Sequence, residues 1–352
     1  MINGVVEALS PEQKYHYLRL HSSHPMGFLT LQPGFVEFHM EGIGYVSFAR
    51  HLGSNLVLGD PICAPENMRL LLGQMLRQVK QPTFIQISRP CALLLGERFG
   101  YKINCFGQET DLPLQDYTLT GNKKNNLRYA IRQGRKVAVV KELTMRQLHD
   151  DYQTGKAELD EIFASWMKTR KARHQLKFMV RPVVFADEPD VRKFYALDEA
   201  GQVLGFVFFS PLYKDGKVFG YYNDVAAAVQ SAPTGLATYI TLEALKIFQE
   251  EKLESLNLGI SPLSRLERID GMPKPSWLVW AMLSLFYRTG NHLYNFQGAY
   301  EHKRRYRGRD YPVFIATKWK LKALELSLMS HYIGILEVKN LPVIKQIYDF
   351  WR

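Results

Sequence analysis

Residues 204–264 limit what this 352-residue chain can fold into more than any other stretch. They open with LGFVFFSPLYK and KVFGYYND, two apolar, aromatic-rich runs joined by Asp215-Gly216. A two-residue Asp-Gly connection supplies the positive-φ pair that a tight hairpin turn requires, so two antiparallel strands are expected here. AAAVQSAPTGLATYITLEALKIFQEE then places Pro233 and Gly235 in a turn ahead of a helix. Leu236, Tyr239, Ile240, Leu245 and Phe248 recur along that helix at the spacing of one buried face. ESLNLGISPLS closes the stretch as a short strand that breaks at Gly259 and Pro262. A hairpin, a loop, a helix and a strand in this order require a sheet with a helix packed on it, an α/β unit.

The preceding chain follows a comparable order. Residues 1–25 read as a helical lead-in, and FVEFH, GYVSFAR and NLVLGDP read as strands. A helix over 65–79, with proline in its first turn, carries Met68, Leu71, Leu72, Met75 and Val79 on one side. TFIQIS, a short helix over 93–99 ended by Gly100, and the strand YKINCFGQETDL complete the unit. A chain of this length carries about two domains, placed here at 1–115 and 116–352. The second opens with a helix over 123–133 stopped by Gly134, then a helix marked by Leu159, Ile162, Phe163, Trp166 and Met167. Further helices are expected over 277–287 and 320–340, the last packing on the domain or touching a membrane surface.

A net charge of +11 favours an anionic partner: nucleic acid, an anionic membrane face or a phosphorylated substrate. Lys124, Arg128 and Arg132 lie four apart on one helix face, either a solvated surface or a phosphate-binding stripe. More basic residues follow at Lys168, Arg170, Lys171, Arg173, Lys177 and Arg181. Between Lys303 and Arg309 five basic residues surround Tyr306, which suits either a polyanion bearing bases or a solvated loop. The three cysteines are widely spaced and form no CxxC pair, so neither a disulfide framework, a zinc site nor any other metal is expected. The longest apolar run, 277–286, is shorter than the ~20 residues that span a bilayer, and the N-terminus lacks the regions of a signal peptide. A cytoplasmic chain, at most peripheral to the inner membrane face, is the expectation.

No G-x-S-x-G elbow, H-E-x-x-H helix or G-x-x-x-x-G-K-[ST] loop occurs. Without a nucleophile, direct transfer between two bound substrates is the chemistry to expect, with positioning and charge doing most of the catalysis. Such a reaction needs one carboxylate to accept a proton. Asp224, at the end of the second hairpin strand, is the candidate; a turn-stabilising aspartate is the other reading. The loop 230–235, with Gln230, Thr234 and Gly235, sits at a helix N-terminus whose free amides favour a phosphate. It overlaps weakly with the pyrophosphate loop of coenzyme-A-dependent acetyltransferases, but Pro233 stands where the first glycine belongs and removes an N–H donor.

The 204–264 order resembles the substrate-holding half of a GNAT-type acyltransferase. Several stretches resemble, in sequence order, the soluble catalytic domain of bacterial phosphatidylglycerol lysyltransferases, the aminoacyl-phosphatidylglycerol synthases. They are LVLGDP, GYKINCFGQETDLPLQDYTLTGNKKNNLRYAIRQGRK, YNDVAAAVQSAPTGLATYI, LNLGISPLS and YNFQGAYEHKRRY. The resemblance implies an α/β (α+β) chain of two tandem GNAT-like domains, each a mixed central sheet flanked by helices. It implies transfer of an aminoacyl group from aminoacyl-tRNA to a lipid hydroxyl, with no cofactor or metal and with contact to an anionic lipid surface. By position the motif aspartate falls on Asp224, and the Asn-Leu-Gly motif on Asn257, Leu258 and Gly259. The loop after it supplies Ser261, Pro262 and Ser264, and the paired basic residues are Lys303 and Arg305. In this reading Asp224 orients or deprotonates the nucleophile and amides beside Gly259 hold the oxyanion. Lys303, Arg305, Arg128 and Arg132 bind phosphates. Two departures stand out. The family arginine about three residues after the aspartate is replaced by Val225-Ala226-Ala227-Ala228, and the tail arginine is either missing or displaced to Arg307 or Arg309. The alternatives are an acyl-CoA-dependent N-acyltransferase and a non-catalytic pair of domains that binds RNA or an anionic membrane.

Overall fold

Asp215 and Gly216 take φ values of 52° and 76°, the left-handed pair that a tight hairpin demands, and the flanking strands are each 12 residues long. The computed structural model describes residues 4–170, 177–290, 294–318 and 329–334. In the first half the elements run β1 (Val5–Glu7), α1 (Pro11–His21), α2 (Met26–Leu29), β2 (Val36–Met40), β3 (Gly44–His51), β4 (Ser54–Leu58) and β5 (Ile62–Cys63). There follow α3 (Met68–Gln78), β6 (Thr83–Ile87), α4 (Arg89–Phe99) and β7 (Lys102–Pro113). The second half comprises α5 (Asn125–Gly134), β8 (Val139–Glu142), α6 (Met145–Tyr152), α7 (Lys156–Lys168), β9 (Arg192–Leu197), β10 (Val203–Lys214) and β11 (Lys217–Ala228). It ends with α8 (Leu236–Glu250), β12 (Ser255–Pro262), α9 (Trp277–Thr289), α10 (Phe296–Arg304) and β13 (Arg309–Thr317).

Local sequence explains the boundaries. Ser10 and Thr144 open α1 and α6 with reciprocal capping boxes to Gln13 and Gln147. Gly100, at φ 72°, ends α4 in the left-handed conformation. The helix expected over 123–133 runs one residue further than its glycine signal. Gly134 lies inside the last turn because α5 and α8 touch there, and a Cβ on it would fall 2.2 Å from the Tyr239 ring.

All described strands but one belong to a single path, β1-β2-β3-β4-β6-β13-β7-β12-β11-β10-β9-β8, with β5 paired to β3. Among the described residues only β4–β6 and β11–β12 pair in parallel, and each pair is bridged by a crossover containing one helix, α3 or α8. The expected α/β architecture, a mixed sheet flanked by helices, is what the chain adopts, and this shared βαβ order is consistent with tandem GNAT-like halves. The halves are interlocked, because β13, from the end of the described chain, lies between β6 and β7. Leu127, Leu236, Ile240 and Phe248 pack α5 and α8 on one part of the sheet, and Leu71, Leu72 and Leu95 pack α3 and α4 on another. A third core, with Met26, Leu58, Phe106, Tyr222, Leu263 and Phe296, joins residues from both halves. The helix expected over 320–340 lies mostly outside the described residues, as do Lys171 and Arg173. Of that helix, 329–334 packs Met329 and Ile333 into the third core. Among the described residues no helix is long and apolar enough to cross a membrane.

Candidate active site

The sheet is irregular around its middle, and the polar residues of interest sit at or beside these irregularities. On β6, Gln86 is an extra residue opposite β13 and takes a left-handed φ of 56°. On β7, Phe106 is extra opposite β13. On β12, Leu258 and Gly259 together oppose Thr110 of β7. On β11, Asp224 has no partner on β10, which pairs Phe208 with Val225 and Phe209 with Asn223. Such bulges re-aim side chains and recur beside active sites. Strands β11 and β12 also separate here, since their parallel pairing covers only Gly220–Tyr222 with Ser255–Asn257. Asp224 and Gly259 therefore lie two residues beyond the last pair, on opposite sides of the opening.

The Asp224 side chain is 2% exposed. Its Oδ2 accepts from Ser210 Oγ at 2.7 Å and lies 3.4 Å from Arg181 Nε, whereas Oδ1 accepts no hydrogen bond. Burial raises its pKa, with Arg181 and Ser210 acting in the other direction. Arg181 is forked onto Glu188 at 2.5 and 3.0 Å and lies over the Phe28 ring. Its loop is tied down by Lys193, whose buried ammonium donates to the carbonyls of Val184 and Ala186. Desolvation brings that lysine down to about 8. The arginine sought three residues after Asp224 is absent from that place, but Arg181 reaches the same carboxylate from a loop 43 residues upstream. Nothing in the sequence singled out Arg181 among its basic neighbours, because the contact is made by folding and not by spacing.

Glu109 of β7, which sequence reasoning missed, occupies the neighbouring position. It is 4% exposed. Gln86 Nε2 donates to its Oε1 at 2.7 Å, Asn257 Nδ2 to its Oε2 at 3.5 Å, and His24 Nε2 is 3.6 Å from Oε1. Tyr222 connects the two carboxylates: burial raises its phenol pKa well above the usual value, and Asp224 and Glu109 both add to the rise. Gly259, at φ 80°, lets the Tyr222 ring approach, because a Cβ there would lie 2.8 Å from it. The Gly259 amide donates to Asn257 Oδ1 at 2.7 Å, so this amide is committed and an oxyanion must use other donors. Ser261 is fully buried with its hydroxyl unpaired, and Ser264 Oγ donates to the Ser261 carbonyl at 2.7 Å. Lys303 of α10 reaches in to donate to the Ile260 carbonyl. Desolvation lowers its pKa to about 7, with Glu109 opposing the fall.

The structure thus gathers Asp224, Asn257, Gly259, Ser261, Ser264 and Lys303 from among the expected residues, and adds Glu109, Tyr222 and Arg181. The remaining expected residues lie elsewhere. Arg305, Arg307 and Arg309 are exposed, with Arg309 in register with Asp111. Tyr306 between them is 2% exposed and accepts from Tyr117 Oη at its carbonyl, so it is a core residue and offers no stacking surface. Lys124 donates to the Thr118 carbonyl and lies over Tyr117, while Arg128 donates to the carbonyls of Leu119 and Gly121. These two hold their own loop; Arg132 is exposed beside Tyr129. Gln230 and Thr234 are exposed, and Gly235 caps α8 at φ 97°. Among the described residues no group of three His, Cys, Asp or Glu side chains could hold a metal ion.

The site is thus a mixed sheet whose parallel strands β11 and β12 part beside a buried carboxylate. Residues 15–317 match the family described as phosphatidylglycerol lysyltransferase, C-terminal, and the chain belongs to that family of transferases. A phosphatidylglycerol lysyltransferase of Bacillus subtilis is 24% identical over 275 residues, covering 77% of this chain and 30% of the relative. The chain therefore spans about 30% of the length of that relative. In fold it is similar to L-PGS from Bacillus licheniformis, with TM-score 0.74, 19% identity and coverage of 94% of this chain and 98% of the other. A C-terminal domain assigned to a lysylphosphatidylglycerol synthetase of Agrobacterium fabrum gives TM-score 0.72 at 18% identity, covering 92% and 98%.

Proposed function

We propose that this chain moves an aminoacyl group from an aminoacyl-tRNA to the hydroxyl of an anionic lipid of the phosphatidylglycerol type. The observation that carries the reading is Asp224: a buried carboxylate on a bulge at the strand opening, held by Ser210 and Arg181 at one oxygen and with the other unpaired. A buried acceptor without a donor is costly, and an incoming hydroxyl is a donor of the right kind. In the proposed step the lipid oxygen attacks the ester carbonyl carbon while its proton passes to Asp224 Oδ1. The bond from that carbon to the ribose oxygen of the tRNA breaks, and the ribose oxygen takes a proton from the Lys303 ammonium. The transferred group arrives already activated as an ester, so the step uses no cofactor. Exposed Arg132, Arg305, Arg307 and Arg309 would meet tRNA or lipid phosphates, a role that predicts strong weakening of binding by salt.

The test is to incubate purified protein with tRNA charged with a labelled amino acid and with phosphatidylglycerol vesicles, then separate the lipids. Labelled lipid formed from the charged tRNA, and none from an acyl-CoA that carries the label in its own acyl group, supports the proposal. Thermal stabilisation by coenzyme A together with unlabelled lipid would favour an acyl-CoA-dependent transferase instead.

A further inference from the structure

The longest apolar run of the sequence, 277–286, forms most of α9, and the core takes up only one side of it. Val279 and Leu283 are buried in the third core, which also holds Tyr222 and Phe106. Trp277, Trp280 and Leu285 face outward and are 77%, 50% and 61% exposed. Residues three and four apart are neighbours on a helix surface, so the two indoles and Ser284 form one stripe. The Trp280 indole N–H donates to the Leu266 carbonyl at 2.9 Å, and the part of that ring left outside is hydrocarbon. A cavity of about 680 Å³ opens beside the stripe, bounded by both indoles, Ser284, Leu266, Met272 and Phe314.

This apolar patch sits on a fixed frame. Asn104 of β7 clamps the start of α9: its Nδ2 donates to the Ser276 carbonyl at 2.9 Å and its Oδ1 accepts from the Ser276 amide at 3.2 Å. Pro273 packs on α4, where a Cβ on Gly96 would fall 2.5 Å from the proline ring. Contiguous exposed apolar surface marks an interaction site, and the surrounding charges decide its kind. α9 has no acidic residue. The segment 265–289 carries Arg265, Arg268, Lys274 and Arg288, all exposed, against Glu267 and Asp270. Arg265 faces Asp310 at 3.8 Å, and exposed Arg89 joins the rim by donating to the Asp270 carbonyl at 2.9 Å. A second copy of the chain would set this cationic rim against itself, whereas an anionic lipid surface is its complement.

We infer that the outer face of α9, with the cavity beside it, docks the protein on an anionic lipid surface. The two indoles enter the boundary between headgroups and acyl chains, where an aromatic ring with one polar edge is best accommodated. The cations of the rim lie against headgroup phosphates. At 13 residues α9 lies along that boundary and is too short to cross it. The inference rests on the proposed transfer only in taking this surface to be the one that holds the acceptor, and it deepens that reading by naming the face that meets it. The inner side of α9 shares a core with Tyr222, so docking here sets the lipid surface against the element packed behind the strand opening.

The full chain is sedimented, without tRNA, with vesicles of phosphatidylcholine alone and of phosphatidylcholine mixed with phosphatidylglycerol. Binding to the anionic vesicles should be stronger by about tenfold or more and should weaken with salt. Trp277→Ser combined with Trp280→Ser should weaken it by about tenfold or more, with a melting temperature close to that of the unaltered protein. In the unaltered protein, lipids brominated on their acyl chains should quench tryptophan emission. Vesicle binding without that quenching places the indoles outside the lipid and overturns the inference whether or not the double variant folds. Undiminished binding by the double variant overturns it too, as does the absence of vesicle binding; a dimer in solution that the double variant dissolves would then assign the face to a second copy. Transfer from charged tRNA to a dispersed short-chain phosphatidylglycerol, which needs no docking, should be equal in the two proteins. Indole-dependent vesicle binding by a protein that labels no lipid keeps the docking face and removes the transfer, and labelled vesicle lipid formed equally by both proteins does the reverse.

Discussion

Asp224 and Lys303 have their ionisation shifted by the same cause, burial, which raises the acid and lowers the amine. The proposed step needs Asp224 ionised and Lys303 protonated. Transfer should therefore rise with pH as Asp224 loses its proton and fall again as pH passes through about 7, where Lys303 loses its own. Lys303→Arg keeps a cation that does not titrate in this range. Arginine is also a far poorer proton donor, so the variant should be slower at every pH. Measured as kcat/KM against pH, it should lose the falling limb near 7 while keeping the acid limb, and a limb that stays in place assigns it to another group. Arg181→Lys keeps the charge beside Asp224 but loses the two-pronged bond to Glu188. It should lower kcat by roughly tenfold or more with a smaller effect on KM, because misplacing a catalytic group costs transition-state stabilisation.

Strands and helices were largely legible in the sequence because their signals are local: the Asp215-Gly216 turn, the apolar face of α8, the glycine that ends α4. The bulges were not. A bulge is a mismatch between two strands distant in sequence, and no period within one strand reveals that Gln86 or Asp224 lacks a partner. Glu109 was missed for that reason: within YKINCFGQETDL it reads as one polar residue of a strand and gains meaning only beside Gln86, Asn257 and His24. The basic stripe misled in the opposite way, since Lys124 and Arg128 share a face but turn back onto their own loop. At this scale the glycines give the sharpest prediction. Gly259→Ala combines a left-handed φ of 80° with a Cβ 2.8 Å from Tyr222, and should cost about 1–3 kcal/mol of stability through backbone strain alone. Gly134→Ala, with no unusual φ but a Cβ 2.2 Å from Tyr239, should cost a similar ~1–3 kcal/mol through overpacking of α5 on α8. Thermal unfolding of both variants checks this. An unchanged midpoint in either would mean that Tyr222 or Tyr239 moves aside freely.

Across the whole molecule, β13 makes the halves interdependent. A division near residue 115 follows the sequence order, but a fragment of residues 1–115 would leave β6 and β7 without the strand that pairs both. Two unpaired edges in a sheet centre favour aggregation, so this fragment should fail to unfold cooperatively, whereas the full chain should show a cooperative transition by calorimetry. The same interlocking builds the site. Gln86 and Glu109 come from one half, Asp224, Asn257 and Lys303 from the other, and the sheet joins them through the adjacent strands β6, β13, β7 and β12.

The central claim is that Asp224, at the parting of β11 and β12, accepts the proton in aminoacyl transfer to a lipid hydroxyl. The most direct measurement is single-turnover transfer of a labelled aminoacyl group from charged tRNA to phosphatidylglycerol vesicles, by the unaltered protein and by Asp224→Asn. Asparagine preserves size and one oxygen but cannot take a proton, so the rate should fall by about 10²–10⁴-fold while charged-tRNA binding and the melting temperature stay close to those of the unaltered protein. Transfer at an undiminished rate in Asp224→Asn, or no labelled lipid from any charged tRNA, would contradict the claim.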